Sequence, residues 1–139
     1  MTASARTRVL VVDDDVSVAD TVALVLDGAG FEVAKFYDAL LAAQYALEFQ
    51  PHTIITDYSM PRMNGLELAT WLHKHCPDCK IVIITGEAAV VAEKAHNGLK
   101  FALLQKPVSS CMLIAAVKRA SELDDRHDHC SSQVPSYAG

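Results

Sequence analysis

The chain predicts an α/β fold: a doubly wound, five-stranded parallel sheet with helices on both faces. Short apolar runs alternate with helix-like stretches five times within 139 residues, which is the signature of strands linked by helical crossovers. Most of the runs are apolar at successive positions, as strands buried on both faces require. Three of them end on a charged residue that suits a phosphoryl group or a metal, and ligands of such sheets bind at the carboxyl ends of the strands. Right-handed crossovers then restrict the topology to a few doubly wound orders.

Arg8 to Val12 is the first strand and runs into Asp13-Asp14-Asp15. Val18, Val22, Val25 and Leu26 follow at helical spacing, and Gly28-Ala29-Gly30 closes that helix. Phe31 to Phe36 is the second strand. Asp38 suits the cap of a helix whose apolar side carries Leu41, Tyr45, Leu47 and Phe49, with Pro51 as its stop. His52 to Thr56 delivers Asp57, and Pro61-Arg62-Met63-Asn64-Gly65 is turn chemistry before a helix with Leu66, Leu68, Trp71 and Leu72. Lys80 to Ile84 is the fourth strand, ending on Thr85-Gly86, and Ala88 to His96 is an Ala-rich helix. Phe101 to Gln105 delivers Lys106-Pro107, an X-Pro bond where a cis peptide is admissible. Ser109 to Leu123 is the last helix, with Met112, Ala115, Ala116 and Ala120 expected inward. One domain is expected over residues 7–123, and residues 124–139 read as a polar, mobile tail.

Bulk composition narrows the function. Half the residues are apolar (51%) and 21% are charged, a globular balance. A formal charge of -5 leaves no basic footprint for nucleic acid. No apolar stretch approaches a membrane span and the N-terminus has no signal core, so the cytoplasm is the expected compartment. Cys76, Cys79, Cys111 and Cys130 lack the spacing of a disulfide framework.

Asp13, Asp14 and Asp57 at adjacent strand ends would repel one another, and a hard divalent cation resolves that repulsion. Mg²⁺ suits a few carboxylates together with waters and phosphate oxygens. Asp15 is expected to cap the first helix instead. Lys106 supplies a positive point charge, against the alternative of a snorkelling surface lysine. Thr85 has two open readings: a hydroxyl for an anion, or a turn and cap residue.

These residues resemble those of the receiver domains of two-component response regulators, of the chemotaxis-regulator type. The resemblance covers residues 7–123 and rests on Val11-Val12-Asp13-Asp14, Asp57-Tyr58-Ser59-Met60-Pro61 with Asn64-Gly65, Thr85 and Lys106-Pro107. It implies a flavodoxin-like receiver fold with strand order 2-1-3-4-5. It further implies a signalling domain rather than an enzyme, whose Asp57 takes a phosphoryl group from a phosphohistidine of a sensor histidine kinase or a phosphotransfer protein. Asp13, Asp14, Asp57 and the Ser59 backbone carbonyl would hold Mg²⁺, and Thr85 and Lys106 would bind phosphoryl oxygens. Ser59 and Glu87 stand where the family tunes dephosphorylation. The implied output surface for a downstream protein is helix 4, strand 5 and helix 5, with no nucleic acid or membrane contact by the domain. At the switch position, where many members carry Tyr or Phe, this chain has Leu103. No output domain is evident, so the domain acts alone or belongs to a longer regulator or hybrid kinase.

Three rival readings compete. Cys76-Pro77-Asp78-Cys79, with His73 and His75 before it and His127, His129 and Cys130 far behind, has zinc or redox spacing. A helix-end turn with incidental thiols is the plainer reading of that segment. Asp13-x-Asp15 fits a haloacid-dehalogenase-type, Mg²⁺-dependent phosphatase, though no cap domain accompanies it. A receiver-like adaptor that only binds would have no need of the full acid, threonine and lysine set.

Overall fold

The computed structural model describes residues 6–95 and 98–125. Five strands alternate with five helices in that region: β1 Arg8–Val12, α1 Val16–Gly28, β2 Glu32–Phe36, α2 Ala39–Phe49, β3 Thr53–Asp57, α3 Gly65–His75, β4 Lys80–Thr85, α4 Ala88–Lys94, β5 Ala102–Gln105 and α5 Ser110–Asp125. All four strand pairings are parallel and the order is β2-β1-β3-β4-β5. The fold class and strand order agree with the expectation. The last helix runs two residues past the expected boundary at Leu123. The rest of the expected tail, residues 126–139, lies outside the described residues, as does His96.

The core has two layers, one on each face of the sheet. Val9, Val11, Ile55, Val82 and Ile84 pack toward α1 and α5 with Ala19, Val22, Leu26, Leu113 and Val117. Leu10, Val12, Ile54, Ile81, Ile83 and Leu103 pack toward α2, α3 and α4 with Ala42, Ala46, Leu68, Leu72 and Val91. Alternate residues of one strand feed opposite layers, so the central strands are apolar throughout. The exceptions are Thr53 at the amino end of β3 and, at the carboxyl end, the buried polar residues Thr56, Asp57 and Thr85.

On α2 the inward face differs from the expected one, and on α1 and α5 the expected residues are inward only in part, Val22 and Leu26 on the first and Ala116 and Ala120 on the second. On α2 the buried residues are Ala39, Ala42, Ala43 and Ala46, while Leu41 is 54% and Leu47 51% exposed. Small residues let the helix axis approach the sheet, and the bulkier leucines are left at the rim; Tyr45 and Phe49 cover the edge. On α1 the inward residues are Ala19, Val22, Ala23 and Leu26, and Val18 is exposed. On α5 Leu113, Val117 and Ala120 are inward, whereas Met112 and Ala115 face out. A shift of one residue turns a helix by about 100°, enough to exchange those faces.

Local signals fix the element ends. Asp15 caps α1 by accepting from the backbone N–H of Ser17 and Val18, and Asp38 caps α2 by accepting from Leu41. Gly30 follows α1 at φ +102°, a conformation that glycine takes without a Cβ clash. Asn64 and Glu67 form a reciprocal capping box at the start of α3. There the helix presses directly on the end of β3: a Cβ on Gly65 would lie 2.7 Å from the Asp57 carbonyl oxygen.

Gly65→Ala is therefore expected to destabilise the domain by about 2 kcal/mol or more through backbone overpacking. Gly28→Ala, where an added Cβ meets nothing within 4 Å, should be neutral or gain about 0.5–1 kcal/mol as an ordinary helix substitution. Urea unfolding of the two variants separates them, and similar stabilities would disprove the close approach at Gly65.

Candidate functional site: an acidic pocket at the carboxyl edge of the sheet

β1 and β3 are neighbours at the centre of the sheet, with Val12 opposite Thr56. The residues that follow, Asp13 and Asp14, therefore meet Asp57. One carboxylate oxygen from each of the three lies within 4.8 Å of the others. Asp13 is 7% and Asp57 6% exposed, whereas Asp14 faces solvent. β5 brings Lys106 to the same place: its Nζ lies 2.8 Å from Asp57 Oδ1. The neighbouring carboxylate of Asp57 raises the pKa of that ammonium. The Lys106-Pro107 bond is cis.

Three carboxylates against one ammonium leave the pocket short of two positive charges. At an effective dielectric near 20, two like charges about 4 Å apart cost roughly 4 kcal/mol, so one lysine cannot offset the crowding. Asp13 registers this directly: burial, with smaller contributions from Asp57 and Asp14, pushes its pKa up to about 6 from 3.8. The backbone N–H of Asp15, donating to Asp13 Oδ1 at 2.9 Å, and the charge of Lys106 act in the opposite direction. Asp57 Oδ1 is buried, and the Lys106 ammonium 2.8 Å away is its partner. A hard divalent cation fits this donor set, because three carboxylate oxygens converge there and it matches the missing charge.

Thr85 closes β4 one residue beyond Ile84, the register partner of Asp57. Its Oγ1 accepts from the Glu87 N–H at 3.0 Å, the turn reading of that residue. A hydroxyl that accepts in this way keeps its own proton to donate, so both earlier readings are compatible. Ser59 lies exposed in the loop after Asp57, and Glu87 is the exposed residue preceding α4. Leu103 lies deeper, 5% exposed, opposite Ile83 in the layer under α4. The pocket thus brings together Asp13, Asp14, Asp57 and Lys106, with Thr85 on the adjoining strand.

The response regulator receiver domain model matches residues 9–118. The chain belongs to the response regulator receiver family. This receiver domain is 34% identical over 120 residues to the C4-dicarboxylate transport transcriptional regulatory protein DctD of Pseudomonas aeruginosa, covering 86% of this chain and 26% of that protein. It is 35% identical over 86 residues to the DNA-binding response regulator MtrA of Mycobacterium tuberculosis, covering 62% of this chain and 37% of that one. The chain therefore spans only about a quarter to two fifths of these relatives. A CheY-like receiver domain from Methanospirillum hungatei superposes with a TM-score of 0.78 at 26% identity, covering 89% of this chain and 99% of that one. Vibrio cholerae CheY4 gives 0.71 at 27%, covering 84% and 99%. Receiver domains as a family are signalling domains that bind Mg²⁺ at an acidic pocket.

Among the described residues, neither rival site forms. Asp15 is occupied as the α1 cap and stands outside the acidic group, so Asp13-x-Asp15 is not a nucleophile and acid pair. Cys76 and Cys79 lie at the opposite edge of the sheet, beside a cleft also lined by Arg8, His52 and His75. Burial pushes the Cys76 thiol up and the Cys79 thiol to about 12, the reverse of a thiolate site. His52 Nδ1 accepts from the Arg8 N–H, and His75 Nδ1 meets the Trp71 carbonyl. His127, His129 and Cys130 lie outside the described residues. Among the described residues, Asp13, Asp14 and Asp57 are the one group of three metal-type ligands, and no helix is long and apolar enough to cross a membrane.

Sequence reading passed over two residues of this region. Gly65 reads as turn chemistry in the sequence, yet its missing Cβ admits α3 against Asp57. Gln105 reads as the end of a strand, yet its side chain binds the β4–α4 loop. The first had a signal in its asparagine–glycine context; the second had none, since its partners are 17 and 19 residues away.

Asp13 titrates near 6 when folded and near 3.8 when unfolded, so above pH 6 its charge costs stability and below 3.8 it costs none. Asp13→Asn should accordingly raise the melting temperature of the metal-free domain by several degrees near neutral pH, reflecting an order of 1–3 kcal/mol. At about pH 3.5 the gain should vanish; a gain of equal size at both pH values would exclude buried charge as its origin.

Proposed function

We propose that this receiver accepts a phosphoryl group on Asp57 from a phosphohistidine of a sensor histidine kinase or a phosphotransfer protein. The carrying observation is the buried Asp57 carboxylate, which lies beside two further acids with its Oδ1 2.8 Å from Lys106 Nζ. An Asp57 oxygen attacks phosphorus, the P–N bond breaks, and the donor imidazole, already protonated on its other ring nitrogen, leaves with the electron pair as a neutral ring. An acyl phosphate forms and no further reactant is needed. Asp13, Asp14, Asp57 and the Ser59 carbonyl would hold Mg²⁺, which when bound neutralises charge on the phosphoryl oxygens.

The chain's own residues do the remaining work. Lys106 meets the charge that develops at Asp57, and its backbone N–H donates to the Thr85 carbonyl at 2.8 Å, tying the two phosphoryl-binding residues together. Thr85 donates its free hydroxyl proton to a phosphoryl oxygen. Gly86, exposed and without a side chain, leaves an approach for the donor or for water, while Ser59 and Glu87 border that approach and set how readily water enters.

Phosphorylation then shifts the population toward the arrangement in which Thr85 and Lys106 close on the new anion. A downstream protein reads this on the surface of α4, β5 and α5. MtrA is a DNA-binding regulator, but a segment with formal charge -5 suits protein contacts rather than DNA. The free thiols Cys76, Cys79 and Cys111 fit the reducing cytoplasm.

Intact mass after incubation with acetyl phosphate and Mg²⁺ tests the assignment. The native chain should gain one phosphoryl group, and Asp57→Asn or chelation by EDTA should abolish the gain. A gain in Asp57→Asn, or none in the native chain, would refute it.

A further inference from the structure

α4 is short and poorly anchored. It has seven residues, of which only Val91 is buried, and its N-cap residue Glu87 makes no side-chain cap. A helix of this length does not hold itself, and its first N–H groups lack intrahelical partners. Gln105 supplies what Glu87 does not. Its Oε1 accepts from the Ala88 N–H at 2.9 Å, and its Nε2 donates to the Gly86 carbonyl at 2.6 Å. One amide therefore bridges the last strand to both ends of the turn between β4 and α4.

The bridge joins the two arms of the site. Gln105 is the register partner of Thr85 and the chain neighbour of Lys106. Lys106 reports on Asp57 from β5, and Thr85 does so from the turn that Gln105 holds. Leu103, two residues earlier on the same face, is an aliphatic side chain buried under α4, with no polar group to exchange partners. Gln105 has both a donor and an acceptor there, on an exposed surface where they can be released and remade.

We propose that Gln105 is a positioning residue: it caps α4 from the neighbouring strand and couples movement of Thr85 to α4 and β5, a relay that Leu103 does not provide. This rests on Asp57 phosphorylation as the input. The test is amide exchange at Gly86–Val90, with and without acetyl phosphate and Mg²⁺, in the native chain, Gln105→Met and Gln105→Glu, with phosphorylation scored by mass. In Gln105→Met, exchange at Ala88 should rise about five- to tenfold, the loss of one net hydrogen bond. The phosphorylation-dependent change along α4 should shrink by at least half, while one phosphoryl group still adds and the melting temperature holds within about 2 °C. Gln105→Glu keeps an acceptor for Ala88 and should restore its protection. Native-like exchange and response in Gln105→Met would overturn the proposal, as would failure of Gln105→Glu to protect Ala88. Failure of the native chain to gain mass would instead overturn the input at Asp57, and the Ala88 exchange would still report on the cap.

Discussion

Crowded negative charge at the carboxyl edge of the sheet is the constraint on which the rest of this structure depends. Parallel pairing of β1 and β3 forces Asp13 and Asp14 against Asp57, and the buried strands beneath leave those carboxylates little room to move apart. A single ammonium meets one of the oxygens. Asp13, buried beside the other two acids, is held above the usual carboxylate range. Lys106 offsets part of the imbalance, and a cation would offset the rest. Binding and folding energy are therefore opposed at this edge: the residues that would make the chemistry possible are those that a stability-optimised core would omit.

Around that edge the loops are held by hydrogen bonds as well as by the apolar contacts of Tyr58, Met60 and Met63. The capping box of Asn64 and Glu67, the close approach at Gly65 and the backbone bond from Gly65 to Tyr58 fix the β3–α3 side. The β4–α4 side relies on Thr85, Lys106 and Gln105. Hydrogen bonds near solvent contribute about 0.5–1.5 kcal/mol each, little enough to be exchanged when a new anion appears. The two-layered core is held by buried apolar contacts, and this turn by exposed hydrogen bonds. Leu103 belongs to the first and Gln105 to the second.

Most of the scaffold was legible before any coordinates. The strands Arg8–Val12 and Lys80–Thr85, the caps at Asp15 and Asp38 and the stop before Pro51 all carry local signals, because backbone propensity and turn chemistry act over a few residues. The helix faces were less legible. Reading large apolar residues as inward misplaced Leu41, Leu47, Val18 and Met112, since a domain of this size leaves many apolar side chains at its surface. What selects the inward face is how closely the helix can approach the sheet, and on α2 that favours four alanines.

The sequence by itself determined the element order, the strand ends on which Asp13, Asp57, Thr85 and Lys106 fall, and the kinship that those positions carry. Each is a matter of local periodicity and of residue type at a strand end. Long-range packing alone seals Leu103 beneath α4 and makes Gln105 rather than Glu87 the cap of α4. Those outcomes depend on register between strands distant in sequence, where one residue of slip would point each side chain to the other face.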